Sequence, residues 1–480
     1  MKIVKVSDLN LQIITKDREY LAKIREEFTS YVEGFQYMAA WKAGHWDGKT
    51  CLVNSLGIFP YGLLFDYIKI HRKNFPDIPL KIGNRVKQLF LIDKLDIQYN
   101  LNLYPRPYQK DCIEASLKHS KGIIRSSTAS GKSLVISYIV KNLLDNDLIK
   151  QAIIVVPGKS LIKQFHGHLV EYGIDETYIG EVYSQRKQWD KKIVISTWQS
   201  LSRNHDKLNQ FDCIIIDEVH GAKSYQLKTI LSKATSAKWR LGFTGTMHSD
   251  ELNNWNTKSY LGPIIREYPS GLLAEEGWIS KCNVHILNIK YLQKKWIGTY
   301  NEIKDQVFNR NYRMKLIEAI VKRLDHNVLL LVGKVEDEGE VLKAWLKDEC
   351  GKTVEFLSGK DKVEIREEWR KRCMVEKNIA LIATYGIMAQ GIDIPNLKYV
   401  IFVSPFKAKI RILQSVGRSL RKHADKENGA HIFDISDQTK YFKKHGEIRL
   451  RYYDAEKFNI IEQTFIENVP IDLEKLFDVL

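Results

Sequence analysis

The sequence carries little that would tie it to secretion, bound metal or a membrane. Its six cysteines (Cys51, Cys112, Cys213, Cys282, Cys350, Cys373) stand far apart with no Cys-x-x-Cys pair, which excludes a disulfide framework and the usual zinc-ligand spacings. No apolar run approaches the ~20 residues that a helix needs to cross a bilayer, so no membrane partner is expected. The opening MKIVKVSDLN breaks its apolar residues with charge, unlike a signal peptide. A reducing cytoplasm is the expected setting. Proline is scarce, 11 in all, and no Pro/Gly/Ser-rich tract occurs, so no segment has the composition of permanent disorder. Acidic residues are the minority charge: 58 Asp and Glu face 74 Lys and Arg, giving +16.

That imbalance favours polyanionic partners, although solvated lysines alone would produce it equally well. The C-terminal part is uneven. Residues 401–451 hold 12 Lys/Arg against 5 Asp/Glu, and residues 452–480 hold 2 against 7. The acidic end is expected to be a solvated helix, with mimicry of nucleic acid as the alternative. At 480 residues, with 44% hydrophobic and 28% charged, the chain has material for two to four cores.

Short β-rich runs punctuate the chain from residue 122 onward. Gly122–Ile124, Ala152–Val156, Ile193–Thr197 and Cys213–Ile216 form one series; Val328–Val332, Ile379–Ala383, Tyr399–Val403 and His431–Phe433 form another. Such runs fit strands buried on both faces of a parallel sheet, and amphipathic stretches such as Asp337–Lys347 lie between them. Two α/β lobes in tandem are predicted, joined near Tyr268–Ser280. The first hundred residues read differently, with a hairpin over Ile3–Ile14, a helix over Tyr20–Phe28 and more short strands. They are predicted to be a separate small α+β domain.

The segment Ser126-Ser127-Thr128-Ala129-Ser130-Gly131-Lys132-Ser133 lies between a strand and a helical run, the context that a phosphate-binding loop needs. Small residues let backbone N–H groups curl around phosphates, Lys132 reaches the β/γ oxygens and Ser133 would ligate Mg²⁺. The pattern G-x-x-x-x-G-K-[ST] is met except at Ser126, which replaces glycine. Further on, a buried strand ends in Asp217-Glu218-Val219-His220. At the carboxyl edge of a parallel sheet, Asp217 would hold Mg²⁺ and Glu218 would orient or deprotonate the attacking water. His220 has no second ligand at zinc spacing.

Taken together, these residues resemble superfamily 2 helicases over roughly Leu101 to Asp437. Tyr104-Pro105-Arg106-Pro107-Tyr108-Gln109 resembles the family's adenine-reading segment, Asp217-Glu218-Val219-His220 its D-E-x-H box, and Phe243-Thr244-Gly245-Thr246 its coupling motif. Ala383-Thr384-Tyr385-Gly386 with Gln390-Gly391-Ile392-Asp393-Ile394-Pro395 resembles motif V, and Gln414-Ser415-Val416-Gly417-Arg418-Ser419-Leu420-Arg421 resembles motif VI. Trp41–Lys49 and Gly57–Leu63 resemble the leading domain of the UvsW-type phage helicases.

The resemblance implies two RecA-like lobes behind an α+β domain: residues 1–100, then lobe one over 101–275, lobe two over 276–440, and an extension over 441–480 packing on lobe two. It implies ATP and Mg²⁺ as cofactors. Arg106, Gln109, Ser127, Thr128, Ala129, Ser130, Gly131, Lys132, Ser133, Gly391 and Asp393 would bind the nucleotide. Lys132, Asp217, Glu218, Gln414, Arg418 and Arg421 would catalyse, the arginines acting on the γ-phosphate. Pro157, Gly158, Lys159, Thr197, Trp198, Gln199, Lys334, Thr384 and Tyr385, with Trp46 and Lys49 in front, would contact nucleic acid. The implied activity is a monomeric ATP-driven motor on forked or branched DNA, in the host cytoplasm if the chain is phage-encoded. An RNA helicase of the same superfamily, or an ATP-gated binding switch that does not translocate, are the alternatives.

Overall fold

The computed structural model describes the chain except residues 90–94, 128, 222–223, 248–249, 294, 391–393, 395, 405–415, 418–419, 421, 424–425, 427 and 478–480. It divides into two compact units, Met1–Ser126 with Gly131–Glu267, and Tyr268–Leu480 with Ser127–Ser130.

The first unit opens with the expected hairpin. β1 (Lys2–Lys5) and β2 (Asn10–Ile14) pair antiparallel with Ile3 opposite Ile13, so the two-residue alternation turns Ile3, Leu11 and Ile13 inward. A two-stranded ribbon, β3 (Thr29–Tyr31) with β4 (Lys49–Cys51), stands apart, while β5 (Ile58–Pro60) and β6 (Lys81–Ile82) flank the hairpin in the order β5-β2-β1-β6. Helix Arg18–Glu27 starts where the Asp17 carboxylate accepts the Tyr20 N–H, a standard N-cap.

This α+β region shares its core with the lobe that follows. Leu252 and Trp255, from helix Glu251–Leu261, belong to the same apolar cluster as Ile3, Tyr20 and Phe28. The Tyr61 hydroxyl donates to the Tyr260 carbonyl at 2.7 Å, and Lys258 pairs with Asp66 at 2.8 Å. Gly62 makes the approach feasible, because a Cβ there would lie 1.7 Å from the Lys258 carbonyl oxygen. Hydropathy patterning along residues 1–100 shows nothing of this, since the partner residues lie some 200 positions away.

Lobe one is an eight-stranded sheet. Its strands are β7 (Lys121–Ser126), β8 (Ala152–Val156), β9 (Ile179–Tyr183), β10 (Arg186–Lys187), β11 (Ile193–Thr197), β12 (Cys213–Asp217), β13 (Trp239–Thr244) and β14 (Ile264–Tyr268), in the order β10-β9-β11-β8-β12-β13-β7-β14. The central pairs are parallel. The Val/Ile runs of β8, β11 and β12 are buried throughout, apart from Asp217 at the end of β12.

Lobe two orders β15 (Cys282–Lys290), β16 (Val328–Val332), β17 (Thr353–Leu357), β18 (Ile379–Thr384), β19 (Tyr399–Phe402), β20 (Ala430–Asp437) and β21 (Asn459–Ile466) as β17-β18-β16-β19-β20-β15-β21, all in parallel pairs. The acidic end is not a solvated helix. It supplies strand β21, and its apolar residues Phe465, Leu473 and Leu476 enter the lobe core. Helix Phe442–Ala455 leads into it, anchored by the buried Arg449–Asp434 ion pair at 2.6 Å. The helix expected over Asp337–Lys347 begins as a π-helix, Val335–Glu340, and continues as Val341–Leu346. The wider turn carries the Glu338 carboxylate inward, where it accepts the N–H groups of Gly333 (2.7 Å) and Lys334 (3.0 Å) and pairs with Lys304 and Ser404.

Candidate active site

The order of lobe one places β11, β8, β12, β13 and β7 side by side and parallel, so their carboxyl ends form one edge. The phosphate loop leaves β7, Asp217 and Glu218 end β12, Thr244 ends β13, Pro157-Gly158 follow β8, and Trp198-Gln199 follow β11. Segments as far apart in sequence as Lys132 and Thr244 thus meet along an edge of the kind at which parallel sheets bind ligands.

The phosphate loop turns where the Ser130 N–H donates to the Ser127 carbonyl (3.1 Å). Gly131 holds φ at +74°, a conformation natural to glycine, and helix Lys132–Asp145 starts immediately afterwards. Ser127 and Ser130 are buried and Ala129 is half-buried. Lys132 is 7% exposed; its Nζ donates to the Ser126 carbonyl at 3.3 Å and lies 3.5 Å from the Glu218 carboxylate. The Lys132 ammonium and a candidate base are therefore neighbours. The Ser133 hydroxyl lies 3.2 Å from that of Tyr172.

Asp217 and Glu218 sit close enough to be driven apart electrostatically. Burial, and then the Glu218 charge, push Asp217 up. For Glu218, burial works upward, but Lys132 and His220 beside it outweigh that and hold the carboxyl below its ordinary value. Glu218 thus stays ionised, as a water-orienting base requires. It also adopts φ +51°, a strained left-handed backbone for a residue with a side chain. Asp217 Oδ1 is buried without a hydrogen-bond partner among the described residues, an acceptor that suits a hard cation such as Mg²⁺.

His220 is buried and bridges two segments. Its Nδ1 lies 2.6 Å from Thr244 Oγ1 and 3.3 Å from a Glu218 carboxylate oxygen. Because the Thr244 hydroxyl donates to the Thr246 carbonyl (2.7 Å), it has only lone pairs left for His220. The imidazole is therefore the donor, and its Nδ1 carries the proton.

The expected adenine-reading segment opens helix Pro107–His119. Gln109 is 3% exposed, its Oε1 accepts the Arg106 backbone N–H at 2.8 Å, and its Nε2 lies 2.6 Å from where a Cβ on Gly131 would be. Gln109 thus touches the phosphate loop. Arg106 is exposed, with one guanidinium nitrogen 3.3 Å from the Tyr108 hydroxyl.

The nucleic-acid residues are less uniform. Lys159 and Gln199 are exposed, and Pro157 and Gly158 half-buried, at the carboxyl edge of lobe one. Thr197 is buried, its hydroxyl capping the next turn at Ser200. Trp198 is a correction: at 2% exposure it packs in the lobe core, where an indole has no path to a base. In lobe two, Lys334 pairs with Asp305 and Asp337, each at 3.1 Å; Thr384 and Tyr385 are buried, the Tyr385 hydroxyl donating to the Ser404 carbonyl. In the N-terminal region the Trp46 Nε1–H donates to the Lys49 carbonyl, while the exposed Lys49 ammonium lies over the Tyr31 ring. Thr128, Gly391, Asp393, Gln414, Arg418 and Arg421 lie outside the described residues. Tyr172 and Glu338 carry no motif signal, since only folding brings them to Ser133 and to the Gly333-Lys334 turn.

Three family models match in succession: UvsW DNA helicase, N-terminal, over residues 2–78; the type III restriction enzyme res subunit over 102–249; and the helicase conserved C-terminal domain over 312–423. The ATP-dependent DNA helicase uvsW of Enterobacteria phage T4 is 26% identical over 92% of this chain and 95% of its own. The solved type ISP restriction-modification enzyme LlaBIII bound to DNA matches 84% of this chain and 34% of its own, with 15% identity and a TM-score of 0.56. S. cerevisiae Dbp5 bound to RNA and ADP BeF3 matches 75% and 90%, with 14% identity and a TM-score of 0.52. These two share the fold. With all three models in the order of the described domains, the chain belongs to the superfamily 2 helicases and is an ATP-dependent helicase of the UvsW type.

Proposed function

We propose that this helicase is a DNA motor that remodels forked and branched DNA, regressing forks and migrating junctions. The observation that carries it is the N-terminal match to the UvsW model over residues 2–78, in a region built into the core of the ATPase lobe through Leu252 and Trp255. An accessory surface fixed in this way moves with the lobe that binds ATP, so it keeps its grip on a second strand or arm during the cycle.

In this reading Lys132 holds the γ-phosphate, Glu218 orients and deprotonates the attacking water, and Gln109 reads the adenine. Ser133 and Asp217 would hold Mg²⁺, which would neutralise phosphate charge. Gln414, Arg418 and Arg421 complete the catalytic set. His220 and Thr244 pass the state of the nucleotide site to the end of β13. Lys159 and Gln199 in lobe one and Lys334 in lobe two position the strand by its phosphates, without reading bases.

The test compares ATP turnover on a model fork, linear duplex, single-stranded DNA and RNA at fixed salt, with the conversion of the fork into a four-way junction as readout. Fork stimulation with conversion is expected. Robust unwinding of RNA hairpins together with inert forks would sink the reading. Lys132→Ala should abolish stimulated turnover and leave strand binding within about threefold, because phosphate contacts elsewhere supply that affinity.

A further inference from the structure

A cavity of about 1040 Å³ lies in lobe two and is not part of the site above. It opens beyond the amino ends of three neighbouring strands, where Cys282 begins β15, Ala430 begins β20 and Asn459 begins β21. Lys334, Thr384 and Tyr385 stand at the carboxyl ends of β16 and β18 in the same sheet. The nine residues of β15 separate the two edges by about 30 Å at ~3.3 Å per residue.

Lys281, Lys422, Lys426 and Lys457 line this cavity together with His423, and Glu275 is the one carboxylate in the lining among the described residues. Lys426 is 4% exposed, so one ammonium is held inside the wall instead of reaching into solvent. Lys281, Lys422 and Lys457 make no ion pair among the described residues. Gathering the ammonium groups of Lys281, Lys422 and Lys457 around one concavity opposes folding through their mutual repulsion. A concave wall also focuses their field, which a multiply charged anion would relieve.

We infer that this cavity is a second phosphate-binding site of lobe two, engaging the backbone of a further arm of branched DNA. This rests on the branched-DNA reading above. One strand in a single track would meet the carboxyl edge alone, whereas a substrate with several arms offers phosphates to both edges. Free polyphosphate presents the same chemistry, and the test separates the two sources.

The double variant Lys281→Gln/Lys457→Asn removes two exposed charges. Asparagine suits the left-handed backbone at residue 457, where φ is +56°. Binding of a four-way junction and of linear duplex is measured by fluorescence anisotropy across a salt series, with tripolyphosphate as competitor and duplex-stimulated ATP turnover as a control. The junction should bind about tenfold more weakly, and its log K against log salt slope should fall by up to ~1.8, at ~0.9 for each phosphate that is no longer neutralised. Linear-duplex binding and turnover should stay unchanged. An unaltered junction slope, or an equal loss on linear duplex, overturns the inference. Tripolyphosphate affinity that differs between wild type and variant while junction binding does not overturns it too, in favour of a free polyphosphate. A wild-type protein that ignores junctions yet hydrolyses ATP on duplex would instead refute the branched-DNA reading.

Discussion

His220 Nδ1 donates to Thr244 Oγ1 across 2.6 Å, joining the turn after β12 to the last residue of β13. The same imidazole lies 3.3 Å from Glu218, so a change in charge at the base is felt directly at the end of the neighbouring strand. His220→Ala should keep ATP turnover within about threefold of wild type and lower strand separation per ATP about tenfold, the range of a coupling free energy of 1–3 kcal/mol. Thr244→Val should do the same, and the double variant should be no worse than either alone. Parallel assays of phosphate release and strand displacement check this; equal losses in both assays would place His220 in the chemistry itself.

Glu218 is held ionised by Lys132 and His220 against the effect of burial. Glu218→Gln preserves shape and removes the proposed base, so turnover should fall by about 10²–10⁴ with ATP binding retained. Equilibrium binding of a fluorescent nucleotide beside steady-state turnover separates the two effects.

Gly62 faces the Lys258 carbonyl so closely that a methyl group would overlap it. Gly62→Ala should therefore push residues 1–89 off helix Glu251–Leu261. The expected cost is about 2–3 kcal/mol, as for other overpacked contacts. Differential scanning calorimetry should show a lowered or split transition, while duplex-stimulated turnover survives better than action on forks.

Glu338 is the buried partner of Lys304 and of the Gly333-Lys334 turn. Glu338→Ala leaves an ammonium buried alone and should cost about 3–5 kcal/mol. The double variant Lys304→Met/Glu338→Ala should recover much of that stability, measured by urea unfolding, without restoring the nucleic-acid affinity proposed for the Gly333-Lys334 turn.

His285 and His431 stack in the lobe-two core with ring nitrogens 3.1 Å apart. Burial lowers His285 to about 4; burial, and then His285 itself, lower His431 to about 3. Both groups therefore bind protons more readily in the unfolded chain. Their contribution is complete above the unfolded value near 6.5 and is lost as pH falls from there toward the folded values, at up to ~1.4 kcal/mol per pH unit for each histidine. Thermal unfolding of wild type should weaken more steeply between pH 6.5 and 4.5 than that of His285→Leu/His431→Leu.

Much of this was legible in residue order. A parallel strand buried on both faces needs an unbroken Val/Ile run, so β8, β11, β12, β16 and β18 announce themselves locally. A phosphate loop must be small, glycine-containing and followed by a helix, which marks Ser127–Ser133. Other features depend on packing between distant segments. The burial of Trp198, the folding of the acidic end into β21 and the π-turn at Glu338 follow from partners that the local pattern does not show.

By itself, then, the sequence determined the central buried strands and which residue types end them, because backbone geometry and side-chain burial act over a few positions. Tertiary structure alone decided which ends become neighbours. The order β8-β12-β13-β7 brings Glu218 to Lys132 and His220 to Thr244, and the order β20-β15-β21 gathers lysines from three separate segments around one cavity. The physical reason is that hydrogen-bonded strand order is set by core packing summed over a whole sheet, a quantity that no short stretch of sequence contains.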